Sequence, residues 1–385
     1  MPDRGMRVVV IGGGIIGALC AWRLHQRGAR VSVLERGTMG HEASWAGAGI
    51  LCPIHPWLYP DAFTHLVNAS LRVYPDFVAE LQRETGVDVQ WRKCGLLIPE
   101  FPWDEQHHHA AAMAWSERFG WDVEELDEKQ VRSHEPALAC DVQGGLLWPQ
   151  VAQVRNPRLL RAVRKALVKC GVSLIEHADV MAVEADGDGT RRVRTADGRR
   201  FEADVVLLAA GSWSGELAEQ LGFSLPVEPV KGQIVLLHGR PGNMQHIVKH
   251  DRAYFVPRAD GRILVGASME RVGFERGTTR DVIGELVDAI RQIAPGLEGI
   301  PIEKAWMGFR PGSPDGLPFL GPVGTMPGVW VASGHYRNGV VLAPITADVI
   351  SRWIVEGNPG LPMDAFRVDR EAVEHAVLGY PQLAS

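Results

Sequence analysis

Gly12-Gly13-Gly14-Ile15-Ile16-Gly17 is the run whose residue types and spacing point most directly to chemistry. It fits G-x-G-x-x-G, with a β-branched stretch before it and a helical pattern after it, the context in which the motif binds a dinucleotide. Gly12 permits the tight turn, Gly14 lets backbone approach a pyrophosphate, and Gly17 allows a helix to pack closely on a strand. The helix amino terminus adds N–H donors and a positive dipole end. Glu35 lies 18 residues beyond Gly17, where a carboxylate accepts hydrogen bonds from a ribose and repels a 2′-phosphate. That disfavours NADP and leaves NAD and FAD open. The small-residue run Ala43-Ser44-Trp45-Ala46-Gly47-Ala48-Gly49-Ile50 would let backbone lie against an extended cofactor.

Other reactive patterns are missing: there is no Ser-His-Asp order, no paired catalytic carboxylates and no metal-ligand spacing, so no metal is expected. His107, His108 and His109 are adjacent; on a helix they point in different directions and read as a solvated face. The cysteines, Cys20, Cys52, Cys94, Cys140 and Cys170, are odd in number and form no C-x-x-C pair. Free thiols in a reducing compartment, by default the cytoplasm, are expected.

These residues need elements to hold them. Arg7 to Ile11 reads as a buried parallel strand, Ile15 to Gln26 as a helix and Arg30 to Leu34 as a second strand, which completes a βαβ unit. Val205 to Ala210, ending at Gly211, has the same buried character and is placed in the same sheet. Helices are expected at Pro75 to Thr85, Asp104 to Phe119, Pro157 to Cys170, Asp281 to Ile293 and Ala343 to Glu356. Strands are expected near Gly95 to Pro99 and at Val329 to Ala332. Gln233 to His238, Ala253 to Pro257 and Ile263 to Gly266 read as antiparallel strands, the last two joined by a hairpin at Asp260-Gly261. The fold class is therefore α/β: a Rossmann-like dinucleotide domain interleaved with a mainly antiparallel substrate domain. The expected division is 1–80, 150–222 and 311–385 for the first and 81–149 and 223–310 for the second.

A chain of 385 residues exceeds what one simple core usually supports, in keeping with two domains. Hydrophobic residues at 46% and charged residues at 22% exclude disorder, collagen and coiled coil. A net charge of -6 argues against a nucleic-acid partner. Arg4 and Arg7 before an apolar stretch imitate a signal peptide, but glycines interrupt that stretch and a small-x-small cleavage site is lacking. No segment reaches the ~20 apolar residues of a membrane span, so a soluble protein without integral membrane segment is expected.

The chain resembles the FAD-dependent D-amino-acid oxidase superfamily, and within it the glycine oxidase branch, along nearly its whole length. The resemblance is carried by VIGGGIIG (Val10 to Gly17), ERGTMG (Glu35 to Gly40), ASWAGAGIL (Ala43 to Leu51), VKGQ (Val230 to Gln233) and YFVPR (Tyr254 to Arg258). The narrowest segments are GFRPGSPDGLPFLG (Gly308 to Gly321) and GHYRNGVVLAP (Gly334 to Pro344). It implies a Rossmann-like FAD domain and FAD as cofactor. Ile15 and Ile16 match the pyrophosphate turn, and Glu35 with Arg36 the ribose end. Ala43, Ser44, Ala48, Gly49 and Ile50 match the loop beside the flavin, Val180 the position whose backbone meets adenine. His335, Tyr336, Arg337, Asn338, Gly339, Val340 and Val341 match the loop around the isoalloxazine ring.

For the substrate, the resemblance implies that Arg310 anchors a carboxylate, as planar bidentate recognition requires. Arg337 matches a second substrate-facing arginine, Tyr254 a tyrosine bordering the carboxylate, and Met269 a pocket wall. The reaction it implies is hydride transfer from a small amino acid to FAD, hydrolysis of the imine, and reoxidation by dioxygen to hydrogen peroxide, with the glycine imine destined for the thiamine thiazole. The preferred substrate among glycine, sarcosine and small D-amino acids stays open. So do a dehydrogenase passing electrons to a quinone and a flavin-binding module without turnover. Relatives that hold flavin covalently use a cysteine in the carboxyl half; none follows Cys170 here, so FAD is expected to be non-covalent. Arg252 stands where some relatives have histidine. Trp45 and Trp57 are placed near the pocket entrance, with packing or a subunit contact as the alternative. A homo-oligomer is expected from the relatives.

Overall fold

The computed structural model describes residues 5–372, apart from 54, 106–107 and 186–188. Strand Arg7–Ile11 lies inside a six-stranded sheet ordered Phe319–Pro322, Val329–Ser333, Val205–Leu208, Arg7–Ile11, Arg30–Leu34, Ser173–Ile175. All its pairs are parallel except the edge pair of Phe319–Pro322 with Val329–Ser333. Helices cover both faces of such a sheet, which is why its strands read as unbroken apolar runs. Val8 and Val10 enter one core with Leu19, Leu24 and Leu342, while Val9 and Ile11 enter another with Leu208, Leu217 and Phe319. Helix Ile15–Gln26 begins directly after the glycine turn and packs on the final helix, Gly339–Glu356.

A second sheet has eight strands, in the order Ile302–Gly312, Glu228–Leu237, Ile263–Gly266, Tyr254–Pro257, Ile247–Lys249, Leu96–Glu100, Gly144–Trp148, Glu124–Asp127. Its pairs are antiparallel save that of Ile247–Lys249 with Leu96–Glu100. The hairpin at Asp260-Gly261 is present, with Gly261 at φ 88°. Helix Arg280–Ile293 seals this sheet through Leu286, Ala289 and Ile290, packed with Phe255 and Val265.

Several elements differ from the sequence reading. The helix expected at Pro75 to Thr85 spans Asp61–Thr85 with Pro75 inside it. Burial of Phe63, Leu66, Val67, Phe77, Val78 and Leu81, each worth about 1.5–3 kcal/mol, exceeds the ~3 kcal/mol that an internal proline costs. The final helix likewise starts at Gly339, four residues before Ala343, and carries Pro344. Pro344 cannot donate to the Val340 carbonyl, and the Tyr74 hydroxyl donates to it instead at 3.2 Å. The helix expected from Asp104 begins at His109. Strand Ile302–Gly312 was not expected, because Gly308 and Gly312 interrupt its alternation; ten residues of the neighbouring strand pair with it.

Candidate active site

The ends of the two sheets enclose a cavity of about 1070 Å³, at the upper limit of ordinary small-molecule sites and roomy enough for an extended dinucleotide with a small substrate. One end is built by the glycine turn. Gly12 has φ 110°, and a Cβ there would lie 2.3 Å from the Ala209 carbonyl oxygen. A Cβ on Gly17 would lie 2.1 Å from the Gly12 carbonyl oxygen, so only glycine lets helix Ile15–Gln26 sit this close to the strand. Glu35 accepts from the Gly13 N–H at 2.7 Å and the Gly37 N–H at 2.8 Å, which points its carboxylate across the turn. Arg36 stacks over the Trp213 ring at 4.3 Å. The Ser44 hydroxyl accepts from the Ile15 N–H at 2.9 Å.

Loop 43–50 is fixed from behind. Asn156 donates to the Ser44 carbonyl at 2.8 Å and Arg258 to the Ala48 carbonyl at 2.7 Å. Arg258 is buried, and burial pushes its guanidinium down to about 10. Gly49 has φ 75°, and a Cβ on it would lie 2.1 Å from the Val154 carbonyl oxygen. Neither Asn156 nor Arg258 was singled out from sequence. The signal for Arg258 was an arginine closing an otherwise apolar strand.

The opposite end carries the polar side chains. Arg310 leaves strand Ile302–Gly312 and lays its guanidinium flat over Gly232 on the next strand, where a Cβ would lie 2.3–2.5 Å from its Nη1, Nη2 and Cζ atoms. Its Nη1 donates to the Ser268 carbonyl at 3.0 Å and the Lys231 carbonyl at 3.3 Å. Tyr254 hydrogen-bonds Arg310; burial raises its hydroxyl above the usual tyrosine range, against the pull of that arginine. Arg337 and Tyr336 both donate to the Met269 sulfur, Tyr336 at 2.9 Å. His335 is buried against Thr346 at 3.1 Å, and burial holds its imidazole near 3, hence neutral. The turn His335 to Asn338 delivers the amino terminus of helix Gly339–Glu356 to the cavity.

Of the residues expected from sequence, Gly12, Gly14, Ile15, Ile16, Glu35, Arg36, Ala43, Ser44, Ala48, Gly49, Ile50 and Val180 line this one cavity. Tyr254, Met269, Arg310, His335, Tyr336, Arg337, Gly339 and Val340 line it too. Gly17, Asn338 and Val341 stand behind its wall: Asn338 donates to the Tyr59 hydroxyl at 3.4 Å, and the Val341 carbonyl accepts from Ser70. Trp45 and Trp57 do not line it. Trp45 packs edge-on against Trp306, and Trp57 stacks on His55 and Trp148 beside a separate pocket of about 20 Å³. Arg252 reaches the rim, donating to Gln292 at 2.8 Å. The expected solvated histidine face is corrected for two residues: His108 lies against His55 and Trp57, and His109 meets Glu100 at 2.9 Å. His107 lies outside the described residues. All five cysteines are free, and among the described residues no helix is long and apolar enough to cross a membrane.

The family described as FAD dependent oxidoreductase matches residues 7–353. A glycine oxidase of Pseudomonas putida is 38% identical over 354 residues, covering 92% of this chain and 95% of that protein. The bifunctional protein ThiO/ThiG of a Synechocystis species is 37% identical, covering 94% of this chain and 54% of that longer protein. The crystal structure of glycine oxidase from Geobacillus kaustophilus superposes with a TM-score of 0.88 at 30% identity, covering 95% of this chain and 99% of that one.

Proposed function

This chain belongs to the FAD dependent oxidoreductase family, and from that premise we propose that it oxidises glycine and other small amino acids or amines, with dioxygen as the final acceptor. The likeness to glycine oxidases supports the substrate, and the likeness to ThiO/ThiG supports a role in supplying the glycine imine for the thiamine thiazole. When bound, FAD supplies the acceptor for the hydride and returns the electrons to dioxygen. The residues around it fit a long dinucleotide. The glycine turn, Glu35 and loop 43–50 would take its pyrophosphate and ribose, Val180 its adenine end, and residues 335–340 its ring. In this reading residues 1–80, 150–222 and 311–385 hold the cofactor, and 81–149 and 223–310 hold the substrate.

One observation carries the proposal: Arg310, held flat by Gly232 and two carbonyls, meets Tyr254 in the wall of the cavity that the glycine turn enters. A planar guanidinium so braced fixes a carboxylate in one orientation. His335, held neutral by burial, adds no charge beside it, while Arg337 stands on the same wall with its guanidinium against the Met269 sulfur. The test is the visible spectrum of the purified protein with glycine, first without oxygen and then in air with peroxide detection. Bleaching followed by reoxidation and peroxide is expected. Bleaching without reoxidation in air would replace dioxygen with another acceptor. Absence of bleaching by glycine, sarcosine and small D-amino acids would overturn the proposal.

A further inference from the structure

Within the segment VKGQ (Val230 to Gln233), Gly232 is the residue over which the Arg310 guanidinium lies. Alternation along the strand sends its neighbours, Lys231 and Gln233, to the opposite face. On that face Val235 and Leu237 pack with Leu286 and Ile290 of helix Arg280–Ile293. Lys231 is 1% exposed and Gln233 is fully buried. An ammonium and an amide enclosed there are costly without partners, and both turn to Glu270. The Lys231 ammonium lies 3.6 Å from the Glu270 carboxylate. The Gln233 amide donates to the two oxygens of that carboxylate at 3.1 and 3.2 Å, and its carbonyl accepts from the Thr279 N–H, at the head of the helix, at 2.8 Å.

Glu270 in turn acts on the cavity side. Its backbone exchanges two hydrogen bonds with that of Lys231, at 2.9 and 3.0 Å. Its carboxylate accepts from the Ser268 hydroxyl, which itself accepts from the Gln233 N–H at 2.9 Å. The Lys231 and Ser268 carbonyls held in this way are the two that receive Arg310 Nη1, at 3.3 and 3.0 Å. Between Ser268 and Glu270 stands Met269, whose sulfur takes the Tyr336 hydroxyl at 2.9 Å and the Arg337 guanidinium. One carboxylate behind the wall thus reaches the carbonyls that seat Arg310 and, through Met269, the neighbouring arginine. Hydrogen bonds to an ionised group are about twice as strong as neutral ones, which makes the tie stiff.

We propose that the Lys231–Glu270 ion pair positions the substrate anchor: it fixes the Ser268 and Lys231 carbonyls, and so holds the Arg310 guanidinium in the orientation that grips an α-carboxylate. The inference deepens the amino-acid oxidase reading above and rests on it. Ser268, Met269 and Arg310 line the cavity, whereas Lys231, Gln233 and Glu270 stand behind it. The pair therefore acts through Arg310 and not by touching substrate. Because the carboxylate is gripped equally before and during the reaction, loss of the pair should fall on KM and spare kcat.

Glu270→Gln keeps the size of the side chain but leaves Lys231 buried beside a neutral amide. A second variant joins it to Lys231→Met, so that the buried pair is removed whole and no charge of it is left uncompensated. Each is studied as the FAD-loaded protein, by calorimetric titration with acetate, a carboxylate with no amine to oxidise, and by steady-state oxidation of glycine. Acetate affinity should fall about tenfold in each and the KM for glycine should rise about as much, with kcat within about threefold of wild type. Flavin content and the spectrum of the ligand-free protein should not change. In an Arg310→Met background the paired substitution should lower kcat/KM by less than about twofold more. Acetate affinity within about threefold of wild type in the paired variant, or a loss that persists undiminished beside Arg310→Met, would overturn the inference. Should Glu270→Gln fail to fold, the paired variant decides the matter alone. A wild-type protein that binds acetate yet oxidises no amine would sink the functional reading, and the titration would still decide whether the pair positions Arg310. Absence of acetate binding in wild type would remove the anchor and this inference with it.

Discussion

Replacing Gly232 with alanine should disable substrate recognition while leaving the fold intact. The new Cβ would lie about 2.4 Å from the guanidinium of Arg310, and ordinary contact begins at 3.4 Å, so the head must retreat by about 1 Å. That retreat lengthens the bonds to Ser268 and Lys231 and tilts the carboxylate fork. A misplacement of this size costs on the order of 100-fold in rate, or about 2.7 kcal/mol at about 1.36 kcal/mol per tenfold. The clash falls on the movable end of a side chain, and Gly232 is absent from the positive-φ residues, so unfolding free energy should change by less than about 1 kcal/mol. The assay is steady-state oxidation of glycine, with denaturant unfolding of the same protein. A double-mutant cycle with Arg310→Met completes it: in that background Gly232→Ala should add less than about twofold. Activity within threefold of wild type, or a full loss that persists without Arg310, would refute the idea that Gly232 acts by seating that guanidinium.

Gly17→Ala, which sets a Cβ 2.1 Å from the Gly12 carbonyl oxygen, should lift the first helix from its strand and yield protein without FAD; a yellow protein with normal flavin content would contradict this. Tyr74→Phe removes the donor to the Val340 carbonyl that Pro344 cannot serve, and should lower unfolding free energy by about 1–3 kcal/mol, measured in urea; no change would mean that another donor takes over. Lys249 has a folded value near 7 against 10.5 ordinarily, so the unfolded chain holds more protons between those values and stability should rise with pH across that window. Lys249→Met should therefore be stabilised most below pH 7, with the gain fading above about pH 10; a gain independent of pH would show that packing, not charge, is responsible.

Much of the fold and site was legible because it depends on short-range chemistry. The unbroken apolar runs at Arg7–Ile11 and Val205–Leu208 announce strands buried on both faces, and the glycine spacing announces the turn between strand and helix. Helix starts were less legible wherever proline stood inside. Pro75 reads as a first residue, yet its helix begins at Asp61, since local propensity carries no record of the apolar face that packing rewards. Strand Ile302–Gly312 was hidden by its glycines, whose purpose appears only when Ala46 is seen lying against Gly308, 2.5 Å from where a Cβ would be. Trp45 and Trp57 were placed at the entrance on bulk alone, and the fold turns both away.

The amino-acid sequence by itself determined the dinucleotide turn and the acidic residue at Glu35, because residue type and spacing along one turn suffice for each, whereas Arg310 and Arg337 were singled out only by the family resemblance of their segments. Tertiary structure alone decided that Arg310, Tyr254, Arg337 and Lys249 share a wall. They are carried on three strands and a helix-leading loop, across 89 positions from Lys249 to Arg337 with the turn itself far upstream. It also decided which of those cations is buried. Proximity and desolvation belong to the folded chain, and they gather these side chains onto one cavity and push the Lys249 amine down to about 7.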